Sequence, residues 1–140
     1  MRPKIGNRDY NEPFLRKCLD IIGAHYEQHA AHVGWDMTVF WHGVYIVEVK
    51  SSLGVSRLTD NEIATQQAVI DANGAYHIVV TPLQLFTTIG YDIHDASTNE
   101  LLQLHEAASN AAATRDPRGE PAGASELVAV AARLLGYPTL

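Results

Sequence analysis

The chain of 140 residues is long enough for one domain with a substantial core, and its composition is ordinary for a globular protein. Hydrophobic residues make up 46% and charged residues 19%, and no apolar run approaches the roughly 20 residues that a membrane-spanning helix needs. The N-terminus has no signal-peptide pattern, and Cys18, the single cysteine, excludes an internal disulfide. These features predict a cytoplasmic protein without membrane association.

The net charge of −6 argues against a general nucleic-acid binder, but the charge is unevenly distributed. Residues 1–58 contain seven Lys and Arg against six Asp and Glu, whereas residues 59–140 contain three against ten. A surface that binds phosphate is therefore expected to use Lys and Arg side chains from the N-terminal part of the chain. The cations there, each of which is also typical of a solvated surface, are Arg2, Lys4, Arg8, Arg16, Lys17, Lys50 and Arg57.

The first predicted element is a helix. Asn11 as a cap and Pro13 in the first turn mark its beginning, and Gly23 marks its end. Residues 24–33 are compatible with either a helix or an extended strand. On a helix their histidines would align and could suggest zinc, but no cysteine or evident fourth ligand is near, so surface or substrate-facing histidines are favoured. These histidines are His25, His29 and His32.

The middle of the chain predicts a βαβ unit, in which residues 44–50 and 75–81 form parallel strands around a helix. That helix is capped by Thr59 or Asp60 and runs to about Ala72. We further expect helices over 82–89 and 96–108. Residues 109–124, rich in Ala, Pro, Gly and charge, are expected to be a flexible linker that separates residues 1–108 from a C-terminal helix in 125–140.

Residues 36–50 predict a β-hairpin with charged side chains among core positions. Glu48 and Lys50 are two residues apart and therefore share a face of the strand. A two-residue loop at 42–43 would put Asp36 on the other face, whereas a three-residue loop at 41–43 puts Asp36 opposite Glu48. Gly43 is then the expected left-handed residue. A metal site that uses both carboxylates requires the three-residue loop, or a bulge with the same effect.

With these elements in place, residues 11–89 resemble the PD-(D/E)xK nuclease superfamily, and within it the VRR-NUC and Holliday-junction-resolvase-like branch. The chain departs from that pattern in two places. Trp35 stands where Pro is usual, and Glu62 stands nearest to the position early in the second helix at which the family often has Gln. The resemblance implies an α/β fold with a restriction-endonuclease-like core, in which helices flank a mixed central sheet. The matching residues are Glu12, Gly34-Trp35-Asp36, Glu48-Val49-Lys50, Gly54, Leu58-Thr59, Gly74 and the strand 76–80.

The resemblance also implies cleavage of DNA with Mg²⁺, for which Mn²⁺ is expected to substitute. Asp36 and Glu48 would bind the ion, with the carbonyl of Val49 as a further oxygen ligand. Mg²⁺ is commonly held by one or two carboxylates and keeps several waters, which suits this set. Glu12 would hold or position a second ion through water.

Lys50 would orient or deprotonate the attacking water, or stabilise the transition state. Gln66 or Gln67 would hydrogen-bond the substrate or Lys50, and Gln66 is preferred because it lies one turn beyond Glu62. The expected DNA-binding cations are Arg8, Arg16, Lys17 and Arg57.

The function predicted from these residues is a Mg²⁺-dependent DNA endonuclease, with branched DNA such as a junction or a flap among the expected substrates. Small nucleases of this fold often use two active sites, so the resemblance implies a homodimer. The alternative is a catalytically weak nuclease-fold module that binds DNA or a protein partner.

Overall fold

The computed structural model describes residues 10–30, 33–51 and 58–138. Within these ranges the chain forms a mixed α/β fold, as the sequence predicts, and has a four-stranded mixed sheet and five α-helices. None of these helices is long and apolar enough to cross a membrane. In chain order the elements are α1 (Glu12–Ile22), β1 (His25–Gln28), β2 (Met37–Phe40), β3 (Val44–Val49), α2 (Asp60–Asp71), β4 (Tyr76–Val79), α3 (Pro82–Ile89), α4 (Thr98–Ala112) and α5 (Ala124–Leu135), with a 3₁₀ turn at Ile93–Asp95.

The strands lie in the order in which they occur along the chain. β1 pairs with β2 and β2 with β3 in antiparallel fashion, whereas β3 and β4 are parallel, as expected for a βαβ unit. The ambiguous segment 24–33 contains strand β1, because His25 to Gln28 find backbone partners along β2. The sheet is therefore mixed, with a hairpin at its centre.

The core lies on one face of the sheet, where strand side chains meet α1, α3 and α4. α5 packs against α4 and α3 and buries its Ala124 and Leu127 in the same core. Fully burying a Leu, Val or Phe side chain contributes about 1.5–3 kcal/mol. α2 differs from the other helices because none of its residues is buried. The strand residues in the core are Met37, Val39, Val47, Val49 and Val79.

Helix ends follow local sequence signals. Thr59 with Glu62 and Thr81 with Gln84 form reciprocal capping boxes at the starts of α2 and α3. Gly23 ends α1 in the left-handed conformation. α4 extends to Ala112, past the predicted end at 108, since the Ala-rich sequence after 106 favours helix. The division into a nuclease-like domain, a linker and a C-terminal helix stays a prediction.

Asn11 does not cap α1 as predicted. Its backbone is already helical (φ −82°, ψ −9°), whereas a capping side chain normally needs an extended backbone. Its amide Nδ2 instead donates to the carbonyls of Lys50, at 2.9 Å, and Val80. Asn11 is 1% exposed. The start of α1 is thus joined to the ends of β3 and β4, beside the charged residues of the hairpin.

Candidate active site

The β2–β3 hairpin has the register that a shared carboxylate site requires. Phe40 pairs with Val44, and Met37 pairs with Val47. Beyond the ladder, which ends at Met37, the N–H of Asp36 donates to the carbonyl of Val47 at 3.1 Å, so Asp36 lies beside the residue that precedes Glu48. The prediction of a three-residue loop at 41–43 is confirmed. Asp36 contacts both neighbours of Glu48, Val47 through its N–H and Val49 through its carboxylate, and thus lies beside Glu48.

The conformation of this loop was predicted wrongly in one respect. The left-handed residue is His42 (φ 53°), not Gly43. The N–H of Trp41 donates to the carbonyl of Gly43 at 3.0 Å, and this bond turns the chain at the residue between them. Histidine is among the non-glycine residues that adopt this conformation more readily.

Asp36, Glu48 and Lys50 meet at the end of the hairpin. Oδ2 of Asp36 accepts a hydrogen bond from the N–H of Val49 at 2.7 Å, which fixes the carboxylate beside β3. Glu48 is 1% and Lys50 8% exposed, and their Oε2 and Nζ atoms are 3.2 Å apart. Strand alternation turns both side chains away from the core face that holds Val47 and Val49. The three side chains therefore form one polar cluster on the less covered face of the sheet.

Glu62 completes this cluster, and the sequence analysis did not assign it a role in the site. Its Oε1 lies 2.9 Å from Nζ of Lys50 and accepts the N–H of Thr59 at 2.8 Å. The capping-box pattern from Thr59 to Glu62 was the available signal, because it fixes this carboxylate at the beginning of α2.

The charges in the cluster are strongly coupled. Burial, followed by a hydrogen bond to Glu62 and the negative charges of Asp36 and Glu62, raises the pKa of Glu48 to about 9, against a smaller lowering by Lys50. Burial would also raise the pKa of Glu62, but hydrogen bonds from Glu48, Thr59 and Lys50 lower it overall. The pKa of Glu48 thus lies above its usual value and that of Glu62 below it, as expected for two carboxyl groups that share a hydrogen bond.

Lys50 remains an ammonium group in this setting. Burial alone would lower its pKa, but the hydrogen bond to Glu62 and the charges of Glu48 and Glu62 raise it overall. The cluster therefore holds a hydrogen-bond donor with a permanent positive charge next to Glu48.

Tyr76 and Gly34 border the cluster. The hydroxyl of Tyr76 donates to the carbonyl of Gly34 at 2.7 Å. Burial, and then the negative charges of Glu48, Glu62 and Asp36, raise the pKa of Tyr76, so its hydroxyl stays protonated. Sequence reasoning missed Tyr76, although its register opposite Ile46 puts it on the face of Glu48.

Gly34 allows α2 to approach the loop that precedes Asp36. Its φ is 108°, and a Cβ atom there would lie 2.0 Å from Oγ1 of Thr65. Any larger residue would therefore strain the backbone and collide with α2.

Glu12 is fully buried at the start of α1. Its Oε2 accepts a hydrogen bond from Nε2 of Gln28 at 2.9 Å and lies 3.6 Å from Nε of Arg16. These contacts link Glu12 to β1, whereas Glu48 faces Glu62 on α2. The role of Glu12 at a second ion stays a prediction.

The remaining predicted residues lie in different places. Gln67 is exposed and donates to Asp71 at 2.8 Å, while Gln66 is half-buried, and the glutamine role at Lys50 is filled by Glu62. Lys17 lines a groove between α1 and α4. Arg8 and Arg57, like Arg2, Lys4 and Gly54, lie outside the described residues.

The histidines of the zinc alternative have other partners. His29 Nε2 is hydrogen-bonded to Oγ1 of Thr38 at 2.8 Å, and His25 lies against Phe40. His32 is outside the described residues. Among the residues that the structure describes, no three His, Cys, Asp or Glu side chains are grouped so that they could hold a metal ion.

A Mg²⁺ ion, which needs only one or two carboxylates, fits the cluster better. Oε1 of Glu48 is buried and has no hydrogen-bond partner, and such an unpaired acceptor is costly. The Asp36 carboxylate lies close enough to raise the pKa of Glu48 through its charge. Asp36 and Glu48 can thus serve as a two-carboxylate site.

Comparison of the chain with protein-family models, curated proteins and solved structures gives no significant match. The chemistry of the polar cluster is therefore the basis on which a function can be assigned.

Proposed function

We propose that the chain is a small Mg²⁺-dependent DNA endonuclease with a restriction-endonuclease-like core of the PD-(D/E)xK type. The observation that carries the proposal is the geometry of the hairpin, which brings the Asp36 carboxylate beside Glu48 with Lys50 on the face of Glu48. The mixed sheet and the βαβ connection from β3 to β4 are compatible with such a core.

Asp36 and Glu48 would hold the ion, together with the carbonyl of Val49. Bound Mg²⁺ supplies positive charge that stabilises the phosphoryl oxygens and orients the attacking water. Glu48 must lose its proton to become a ligand. The Asp36 carboxylate is already oriented, because the N–H of Val49 holds one of its oxygens.

Lys50 is proposed as the group that stabilises negative charge on the phosphate. Its raised pKa favours this role over that of a general base, since the ammonium form has protons to donate but cannot accept one. Glu62 positions Lys50, because its oxygen binds both the ammonium group and the N–H of Thr59.

Three further parts of the proposal rest on sequence rather than on contacts. Arg8, Arg16, Lys17 and Arg57 are the candidates for contact with DNA backbone phosphates, a homodimer would supply a second active site, and the single cysteine suits the cytoplasm.

A cleavage assay tests the proposal. Purified chain is incubated with linear and branched DNA in Mg²⁺ or Mn²⁺ and compared with the variants Asp36→Asn and Glu48→Gln. We expect each variant to lose at least about 100-fold in rate, since each removes a charged ligand. Glu106→Gln, a matched change at an exposed position on α4, should retain activity. Full cleavage by both site variants would contradict the proposed site.

The second candidate is a nuclease-fold module that binds DNA or a protein partner with little catalysis. The burial of Lys50 favours this second candidate, because the side chain is 8% exposed and contacts the carboxyl groups of Glu48 and Glu62. Binding without cleavage of any substrate in either metal would support this candidate.

A further inference from the structure

The sheet face that carries Glu48 continues beyond the polar cluster. The pairing of Thr38 with Ile46 and of Phe40 with Val44, together with strand alternation, puts these four side chains on the same face as Glu48. Val44 is 67% exposed, while the core helices cover the opposite face. The polar cluster is therefore one end of a longer surface that extends toward the tip of the hairpin.

Two imidazole–aromatic pairs lie on this surface. The rings of His25 and Phe40 are 5.3 Å apart between centroids, and those of His29 and Trp35 are 4.8 Å apart. The hydroxyl of Thr38 accepts a hydrogen bond from Nε1 of Trp35 at 3.0 Å and is bonded to Nε2 of His29 at 2.8 Å. These contacts and the β1–β2 ladder hold the rings in place before any ligand arrives. We call His25, His29, Trp35 and Phe40 the ring platform.

We infer that the ring platform binds unpaired nucleotides of the substrate next to the bond that is cut. The inference rests on the proposed function for the identity of the polymer. Bases stack on aromatic and imidazole rings in many single-strand binding proteins. Trp35 immediately precedes Asp36, and the five residues from Asp36 to Phe40 cover about 13 Å of extended chain. A strand whose phosphate lies at Asp36 would therefore have its neighbouring bases over the rings.

The charges on this face favour unpaired bases over a continuous duplex. Duplex binding depends largely on Lys and Arg contacts with phosphates. Lys50 is held by two carboxylates, and Glu27, which pairs with Thr38 across the β1–β2 ladder, exposes 62% of its side chain on the same face. A duplex backbone laid along the platform would meet this carboxylate, whereas the bases of a duplex are stacked on one another and cannot reach the rings. Flaps and single-stranded ends are thus the favoured substrate class.

Binding in EDTA tests the inference, because no cleavage occurs without metal. The full chain is titrated, with fluorescence anisotropy as readout, against single-stranded oligothymidine, a flap substrate and a blunt duplex. We expect the first two to bind about tenfold or more tightly than the duplex. Phe40→Leu should weaken them about tenfold while keeping an apolar side chain, and His25→Gln should act in the same direction.

The chain contains a matched control. The ring of Tyr137 lies 5.2 Å from that of His105, so Tyr137→Leu disrupts an imidazole–aromatic pair between α4 and the end of α5. This variant should bind as the unaltered chain does. Circular dichroism and urea unfolding establish that Phe40→Leu is folded at the assay temperature, and His25→Gln, at an exposed position, provides a second variant.

Three results would overturn the inference. The first is equal affinity for blunt duplex and single strand, and the second is unchanged binding by both ring variants. The third is a dimer, detected by sedimentation, that Phe40→Leu dissociates, because this face would then bind a second copy of the chain. If binding depends on the rings but no DNA is cleaved in the presence of Mg²⁺ or Mn²⁺, only the nuclease proposal is rejected. Cleavage of blunt duplex that does not depend on the rings rejects the platform alone.

Discussion

The ammonium group of Lys50 lies 2.9 Å from Oε1 of Glu62, and the same oxygen accepts the backbone N–H of Thr59. One carboxylate thus both caps helix α2 and holds the lysine of the candidate site. The geometry of the site is therefore coupled to the start of α2. Since no α2 residue is buried in the core, this contact and the packing on Gly34 are important for the position of the helix.

Glu62→Gln separates the two roles of this side chain. Glutamine can complete a capping box, so we expect α2 to remain folded. The loss of negative charge should lower the pKa of Lys50 and loosen its position, and cleavage should fall about tenfold or more. Single-turnover rates measured across a pH range would show both effects. The matched change Glu106→Gln should alter neither, and an unchanged rate and pH profile in Glu62→Gln would contradict a positioning role.

The stability of the metal-free chain should depend on the proton of Glu48. Its pKa is raised from 4.5 to about 9, so the folded chain binds more protons than the unfolded chain between these values. The free energy of unfolding should therefore decrease as the pH rises through this window. The lowered pKa of Glu62 affects the free energy of unfolding below this pH window, and the raised pKa of Lys50 affects it above the window.

Glu48→Gln removes this titration while keeping the shape of the side chain. We expect its free energy of unfolding, from urea titrations in EDTA, to vary less with pH than that of the unaltered chain and to exceed it at alkaline pH. Parallel pH profiles for the two proteins would contradict the raised pKa.

Addition of Mg²⁺ should stabilise the folded chain, because an ion that binds only the folded state raises its melting temperature. The effect should be larger at alkaline pH, where Glu48 loses its proton more readily to the ion. Asp36→Asn should reduce the shift measured by calorimetry. Asp71→Asn, at an exposed position of α2, serves as control, and equal shifts in both variants would argue against the site.

Asn11→Ala should destabilise the chain by about 1–3 kcal/mol, because it leaves the carbonyls of Lys50 and Val80 without their side-chain donor. Urea unfolding provides the measurement. Asn110→Ala, at an exposed position of α4, should change stability little. If both substitutions have the same effect, the link from α1 to the ends of β3 and β4 is energetically unimportant.

Gly34→Ala should cost more stability than Gly90→Ala. Both glycines have positive φ, but a Cβ atom meets nothing within 4 Å at Gly90, whereas at Gly34 it collides with Thr65. Gly90→Ala reports backbone strain of about 1 kcal/mol, and Gly34→Ala should cost roughly 1–3 kcal/mol more. Thr65→Ala should restore part of the difference in the double variant. Equal costs for the two alanine variants would mean that α2 does not pack as closely as described.

The local sequence determined most of the elements. The capping residues, the glycines and the spacing of apolar residues predicted the bounds of α1, α2 and α3 to within a residue or two, and the βαβ pattern predicted parallel β3 and β4. Alternation along the strand put Glu48 and Lys50 on one face. The helix bounds and the alternation depend on neighbours within a few positions of the chain, which is why sequence alone was sufficient for them. The parallel pairing was predictable because a strand, helix and strand in succession commonly form a βαβ unit.

Other features depended on groups that are far apart in sequence. Asn11 bonds to carbonyls 39 and 69 residues away instead of capping its own helix, and β1 is a strand because β2 lies beside it. The hairpin register was left open between two loop lengths until the backbone pairing was known. By itself the sequence determined which charged residues the hairpin carries. Only the tertiary structure decided that Asp36 lies beside Glu48 and that Glu62 binds Lys50, because burial and distant hydrogen bonds fix these contacts.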